Sequence, residues 1–259
     1  MTQLANFLGE IIPNLIDDKI LKVLTPYEGQ PFQNSVYKEV NNLNKKIKTV
    51  GFIHSYPIGL PSNLFKRDGH PKQLIVSSLS QKFCMTKHLN WSEKDIKILP
   101  SARLLKKNNF KMENKIFLPI QFSDPGLIIF TLKSLIFKEK LNLKNIQIRN
   151  HPSCSKSPKH IKLIKSLKEV LKKFSLSKKK IRNVSIFIGP TGSVIEALAR
   201  NVKVYHICEI PELESYHKKI WKYIESFEID NNLFEYKLIG KNKLINFGKH
   251  LDLYKKYFY

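Results

Sequence analysis

The 259-residue chain carries only three cysteines, Cys84, Cys154 and Cys208, and no two of them form a CxxC pair. That spacing argues against a disulfide framework or a zinc site and fits a reducing cytoplasm. There is no apolar run of about eighteen residues, the length that a membrane-crossing helix requires. The opening "MTQLANFLGEIIPNLIDDK" lacks the basic flank and small-residue cleavage site of a secretory signal. Its residues Leu4, Phe7, Leu8, Ile11, Ile12 and Leu15 instead fit one face of an amphipathic helix. RRM and zinc-finger signatures are missing, as are internal repeats, a proline-rich linker and a low-complexity tail.

What is present is enough apolar residue, 42%, for a substantial core, in a length that suits one large domain or two modest ones. The formal charge is +24. Such a balance favours anionic partners, whether nucleic acid, acidic lipid or phosphorylated substrates. Lysine, isoleucine and asparagine are abundant throughout, so much of the charge also reads as a general bias and a solvated face.

Hydrophobic periodicity predicts strands over Ile20–Leu24, Thr49–Ile53, Gln73–Val76, Ile96–Leu99, Ile116–Ile120, Ile146–Arg149, Val184–Ile188 and Val202–Ile207. It predicts helices over Phe32–Leu43, Gln81–Leu89, Gly126–Phe137, Ser157–Phe174, Ser193–Ala199 and Glu212–Phe227. Alternation of this kind implies an α/β protein with parallel sheets covered by helices. A polar stretch over Lys106–Asn114 marks a boundary, giving Rossmann-like halves at 1–112 and 113–259. The tail "LDLYKKYFY" is expected to pack back on the body or to touch a membrane surface.

Four segments carry candidate chemistry, each just past a predicted strand. In "SIFIGPTGSVIEALA" a buried strand turns through Gly189, Pro190, Thr191, Gly192 and Ser193 into a helix. Free N–H groups at such a helix start suit an anion, Thr191 and Ser193 add hydroxyl donors, and Gly189 and Gly192 permit close backbone approach. The alternative is that Thr191 or Ser193 only caps the helix. The turn matches neither GxxxxGK[ST] nor GxGxxG. In "IQIRNHPSCSKSPKH", Pro152 restricts His151 to extended geometry at a strand end, and Arg149, Ser153 and Ser155 stand near as phosphate contacts. His151 could donate to a phosphate or act as an acid, or be only a loop histidine. In "LTPYEGQPFQ", Glu28 could serve as a general base or favour a neighbouring helix start by charge alone. In "GFIHSYP", His54 could bind donor or acceptor, or only hydrogen-bond backbone. If the two halves face one another, these strand ends line a common cleft.

These segments resemble the two-Rossmann (GT-B type) glycosyltransferases of bacterial surface-polysaccharide synthesis. "PYEGQPFQ", "GFIHSYP" and "IKILPSARL" resemble surface carbohydrate biosynthesis enzymes. The "HP" pair with the later "GPTGSVIEALA" resembles sialyltransferases, polysialyltransferases and capsule Kdo transferases. The resemblance covers about residues 20–210. It implies Glu28 as base, His151 stabilising the leaving phosphate, Thr191 and Ser193 binding that phosphate, and Glu196 meeting the nucleotide ribose. The chain departs from the motif at Tyr27, where a second acid would stand. It is also short for two complete halves, and its first half lacks opening strands, as in a reduced member or a piece of a longer reading frame.

The expected activity is transfer of a sugar from a nucleotide-activated donor, CMP-linked by the resemblance, to a surface glycan or lipid-linked acceptor. No DxD pair falls in this region, so neither metal nor cofactor is expected. The basic surface would engage anionic acceptors or the inner membrane leaflet from the cytoplasm. The rival readings are a nucleotide-sugar epimerase or related sugar-phosphate enzyme on the same fold, and a non-enzymatic protein binding polyanions or nucleic acid. The missing nucleic-acid signatures disfavour the last.

Overall fold

The expected alternation is realised in a computed structural model, which describes residues 2–17, 19–43, 46–105, 111–143, 145–174, 183–240 and 243–248. Helix α1 (Thr2–Asn14) precedes β1 (Lys22–Pro26), α2 (Pro31–Leu43), β2 (Lys48–Phe52), β3 (Gln73–Val76), α3 (Leu79–His88) and β4 (Ile96–Ile98). The four strands form one parallel sheet in chain order. A short strand β5 (Ser101–Leu105) follows. The chain then enters a second unit: β6 (Lys115–Phe117), α4 (Pro125–Lys138), β7 (Gln147–Arg149), α5 (Pro158–Phe174), β8 (Val184–Ile188), α6 (Ser193–Ala199), β9 (Lys203–Ile207), α7 (Pro211–Glu214), β10 (Ile224–Asp230) and β11 (Leu233–Leu238). These six strands lie in the order β10-β11-β9-β8-β6-β7, parallel from β7 to β9 and antiparallel through β11 and β10. A last strand, β12 (Phe247–Gly248), pairs with β5.

Local chemistry explains the better-predicted elements. On α5, His160, Leu163, Leu167, Val170 and Leu171 are buried at helical spacing, and the lysines between them face outward. Helix α3 starts where the Ser78 side chain accepts the Gln81 N–H, and Gln81 Oε1 in turn accepts the Ser77 N–H. Asp124 caps α4 by accepting the Leu127 N–H, and Pro125 opens the first turn where its missing N–H costs nothing. Every residue of β8 is buried, as expected of a central parallel strand. Val184, Ile186 and Ile188 pack with α4 and α5, while Phe187 faces the other way and stacks on Phe117 at 4.7 Å.

That other face belongs to a core shared by both sheets. Tyr27, Ile53, Leu74 and Trp91 from the first sheet and its loops join Phe187, Val194, Ile195, Tyr216 and Trp221 in one buried cluster. Hydrogen bonds reinforce the seam. The Leu60 N–H donates to Leu213 O at 3.0 Å, and the Trp221 indole N–H donates to Gly59 O at 2.7 Å. The Tyr216 hydroxyl donates to Pro57 O at 2.7 Å and reaches Thr191 O at 3.1 Å.

One expected element is not found. The helix predicted over Glu212–Phe227 is a single turn, α7, after which Ser215 is extended and the chain becomes irregular before entering β10. Tyr216, Ile220 and Ile224 recur at a spacing of four and mimic a helix face, yet all three pack on the shared core. Beyond them, Asn231-Asn232 joins two strand-forming runs into a hairpin. Strand β6 also stops at Phe117, short of the predicted Ile120, because Pro119 has no N–H for the ladder. Most of the expected boundary, 106–110, and the tail 251–259 lie outside the described residues. Among the described residues no helix is long and apolar enough to cross a membrane.

Substituting Tyr216→Phe keeps the ring and removes the hydroxyl that satisfies Pro57 O and reaches Thr191 O. We expect a loss of about 1–3 kcal/mol in urea unfolding, the range for orphaning buried polar groups. A variant as stable as the parent would show that these carbonyls need no partner.

Candidate functional site

In the second sheet the chain leaves β6 for β7 on one side, then returns across it to β8 on the other. Such a reversal opens a crevice beyond the carboxyl ends of the two strands, the usual ligand position in open α/β sheets. A cleft of about 420 Å³ lies there. It is walled by Leu118, Pro119 and Ile120 after β6, by His151 after β7 and by the Pro190–Ser193 turn after β8. The first sheet closes it with Glu28, His54, Ser55, Tyr56 and Ile58 from the ends of β1 and β2, and Leu104 adds to the lining. The volume falls within the roughly 300–1,000 Å³ of small-molecule sites. Among the described lining residues there are two carboxylates and two histidines, and no lysine or arginine.

Glu28 and His54 meet across the sheet. The turn bearing Glu28 is fixed by Gln33, whose Oε1 accepts the Glu28 and Gln30 N–H groups at 2.9 and 3.1 Å and whose Nε2 donates to Pro26 O. The Glu28 carboxylate, 46% exposed, then reaches His54 Nε2 at 3.3 Å. The other ring nitrogen, Nδ1, is buried and has no hydrogen-bond partner among the described residues. Glu28 is therefore the side chain that orients this ring. The contact in turn holds the Glu28 carboxylate in one direction, at the mouth of the cleft. Tyr27, the departure from the resembled motif, is fully buried against Tyr37 and Trp91. Burial pushes its phenol up to about 12, so a second acid at this position would enter the core rather than the cleft.

His151 is extended, with φ −65° and ψ 136°, at the head of a short 3-10 turn over Pro152–Cys154. Its Nδ1 accepts the Ser153 N–H at 3.3 Å, so the neutral ring carries its proton on Nε2 and can offer that N–H to a ligand. Pro152 thus positions His151 without lining the cleft. Ser153 acts on the ring through its backbone, and its side chain lies outside the cleft, as does that of Ser155. Arg149 is not brought to the site. It lines a separate depression of about 620 Å³ with Lys168 and Lys172.

The Gly189–Ser193 turn holds its hydroxyls in the cleft but uses its glycines differently from expectation. Gly189 has φ +65°, which a side chain would strain, and it makes the turn. At Gly192 an added Cβ would stand 2.0 Å from Tyr56 O, so the close backbone approach there is to the first sheet's loop and not to a ligand. Gly192 occupies the cap position of α6 with no side-chain cap bond, and Thr191 Oγ1 accepts the Ser193 N–H at 3.3 Å. Thr191 therefore has the local backbone role, while Ser193 begins the helix. Glu196 lines the cleft, with its Oε1 held by Arg200 at 2.9 and 3.1 Å.

Supporting residues went unread in the sequence. His206, fully buried in β9, reaches Gly189 O at 2.8 Å through Nε2 and Tyr236 Oη at 3.1 Å through Nδ1. A carbonyl only accepts, so Nε2 carries the proton and Tyr236 donates to Nδ1; the Tyr236 oxygen accepts the Tyr216 N–H in turn. His160 similarly holds Pro119 O at 3.0 Å. A lone histidine on an apolar strand or helix face gives no sequence signal of such a role. Pro119, interrupting a predicted strand, was the readable one.

No protein-family model matches this chain, and no curated protein does.

Two buried groups near this network titrate in opposite senses. Burial lowers His206 from 6.5 to about 4, so its contribution is intact above pH 6.5 and is lost as pH falls towards 4, by about 3 kcal/mol. Burial raises Glu214 from 4.5 to about 7, so the fold gains relative stability as pH falls from 7 to 4.5. The two oppose each other over pH 4.5–6.5. His206→Gln should leave a protein whose denaturation midpoint rises on acidification through that window, and Glu214→Gln one whose midpoint falls. Parallel pH profiles for the two variants would contradict the assignment.

Proposed function

We propose that the protein is a glycosyltransferase that moves a sugar from a nucleotide-activated donor to a surface glycan or lipid-linked acceptor. The observation carrying this reading is that Glu28, His54, His151, Thr191, Ser193 and Glu196 line one cleft at the switch point of the second sheet. On this reading residues 1–112 form the acceptor side and 113–259 the donor side of a GT-B arrangement. Glu28, aimed by His54, takes the proton of the acceptor hydroxyl as its oxygen attacks the anomeric carbon. The bond to the donor phosphate breaks, and the negative charge growing on that phosphate meets the His151 Nε2–H and the Thr191 and Ser193 hydroxyls. A well-placed donor to developing charge is worth about 3–4 kcal/mol. α6 has only seven residues, so the hydroxyls and His151 carry more of this task than the helix dipole. The lack of lysine or arginine among the described lining residues supports a leaving group of low charge, as in a CMP-linked donor.

The test offers purified protein CMP-, UDP- and GDP-sugars and follows nucleotide release with and without glycan acceptors. We expect acceptor-dependent release. Ser193→Ala and His151→Ala should each weaken nucleotide binding about five- to tenfold, the worth of about one hydrogen bond. Glu28→Gln should spare binding and cut turnover by about 10²–10⁴. Turnover unchanged in all three variants would remove the site assignment. Nucleotide turnover that needs no acceptor would favour the epimerase reading, and salt-sensitive RNA binding without nucleotide binding would favour the polyanion-binding one.

A further inference from the structure

The outer face of the α4–α5 layer carries the two most exposed phenylalanines among the described residues. Phe130 is 69% exposed and Phe137 82% exposed, although large aromatics are otherwise prime core material. They stand seven residues apart on α4, about 10.5 Å along the helix, with exposed Lys133 between them. The opposite side of α4 buries Ile128, Leu132, Leu135 and Ile136, so the two phenylalanines point away from the core. Beside Phe137 a groove of about 520 Å³ runs to Phe174 at the end of α5, walled by Ile136 and Leu141 and rimmed by Lys133 and Lys140. The Lys133 ammonium sits 5.4 Å above the Phe174 ring. On α5 the solvent face shows Lys162, Lys165, Lys168, Lys172 and Lys173 against the single acid Glu169.

Aromatics that project from a helix surface among cations of one sign are the pattern of a protein face that lies in a membrane interface. The cations match anionic headgroups, each worth about fivefold in affinity near such a surface, and the phenylalanines enter the acyl boundary. A single-stranded nucleic acid would also meet the lysines and the exposed rings, but apart from its lysines the groove is lined only by Ile136, Phe137, Leu141 and Phe174, which suit acyl chains and give a base edge no acceptor. We propose that the α4–α5 face, centred on Phe130, Lys133 and Phe137, is a docking surface for anionic lipid bilayers. The inference is independent of the sugar-transfer reading, since none of these residues lines the cleft.

The test is co-sedimentation of the full chain with vesicles of phosphatidylcholine alone and of phosphatidylcholine with an equal part of phosphatidylglycerol. We expect binding to the anionic vesicles alone, weakened by salt. The double variant Phe130→Ser/Phe137→Ser should bind about tenfold or more weakly, the scale of two lost apolar insertions, with an unchanged circular-dichroism melt. Lys133→Glu should lose about fivefold or more by itself. As a probe that keeps the surface apolar, Phe137→Trp should show a blue-shifted emission component with anionic vesicles, because Trp91 and Trp221 are already buried. No sedimentation of the parent chain, equal binding by the double variant, or no emission shift would overturn the proposal. So would a dependence on the two phenylalanines found for single-stranded RNA and not for vesicles.

Discussion

The cleft depends on one seam, where the loop after β2 is bonded to the second sheet. Tyr216 holds Pro57 O and reaches Thr191 O, Trp221 holds Gly59 O, and the Tyr56 carbonyl fills the space left by the missing side chain of Gly192. The loop fixed in this way carries His54, which meets Glu28, and the turn it rests on carries Thr191 and Ser193. These are short, directional contacts between buried groups, so they fix position more tightly than apolar packing would. The two halves of the site are consequently set by the same bonds that join the two sheets.

Support continues inward. Gly189 O is held by His206, which is held by Tyr236, which accepts from the backbone of Tyr216. The turn and the seam are thus tied to one buried network, and a change at Tyr216 reaches the site by two routes. Every member has a partner, which makes such a network stabilising in a low-dielectric interior. The charge of the molecule is arranged the other way round. Lysines crowd the solvent face of α5, whereas the described lining of the cleft relies on histidines, hydroxyls and carboxylates. The lysine-rich face of α5 and the described lining of the cleft are therefore separate regions of the protein.

Much of the fold was legible because its elements are patterned strongly by themselves. The uninterrupted apolar run of β8 and the helical stripe of α5 leave little freedom, and both occur where periodicity puts them. The region after α7 was not legible, since Tyr216, Ile220 and Ile224 repeat at a helical interval yet reach the one shared core from irregular chain and the start of β10. The site was legible to the extent that strand ends are legible. Glu28, His54, His151 and the Thr191–Ser193 turn follow predicted strands, and they share the cleft. Arg149 does not line the cleft: it ends the edge strand β7 and lies beside Lys168 and Lys172 of α5, a placement set by which helix covers that edge and not by its position in the chain.

By itself the sequence determined an α/β chain, the strand ends that bear its polar side chains, and a basic outer surface. Those properties follow from hydrophobic period, from proline and glycine at turns, and from formal charge, all of which are local. The tertiary structure decided which strand ends share a cleft and that Gly192 serves a neighbouring carbonyl. It also decided that Tyr27 is core and that His206 supports the Gly189–Ser193 turn. These depend on strand order and on tertiary contacts, from His206 to Gly189 within one sheet to Gly192 against Tyr56 more than a hundred positions away, which no local pattern encodes.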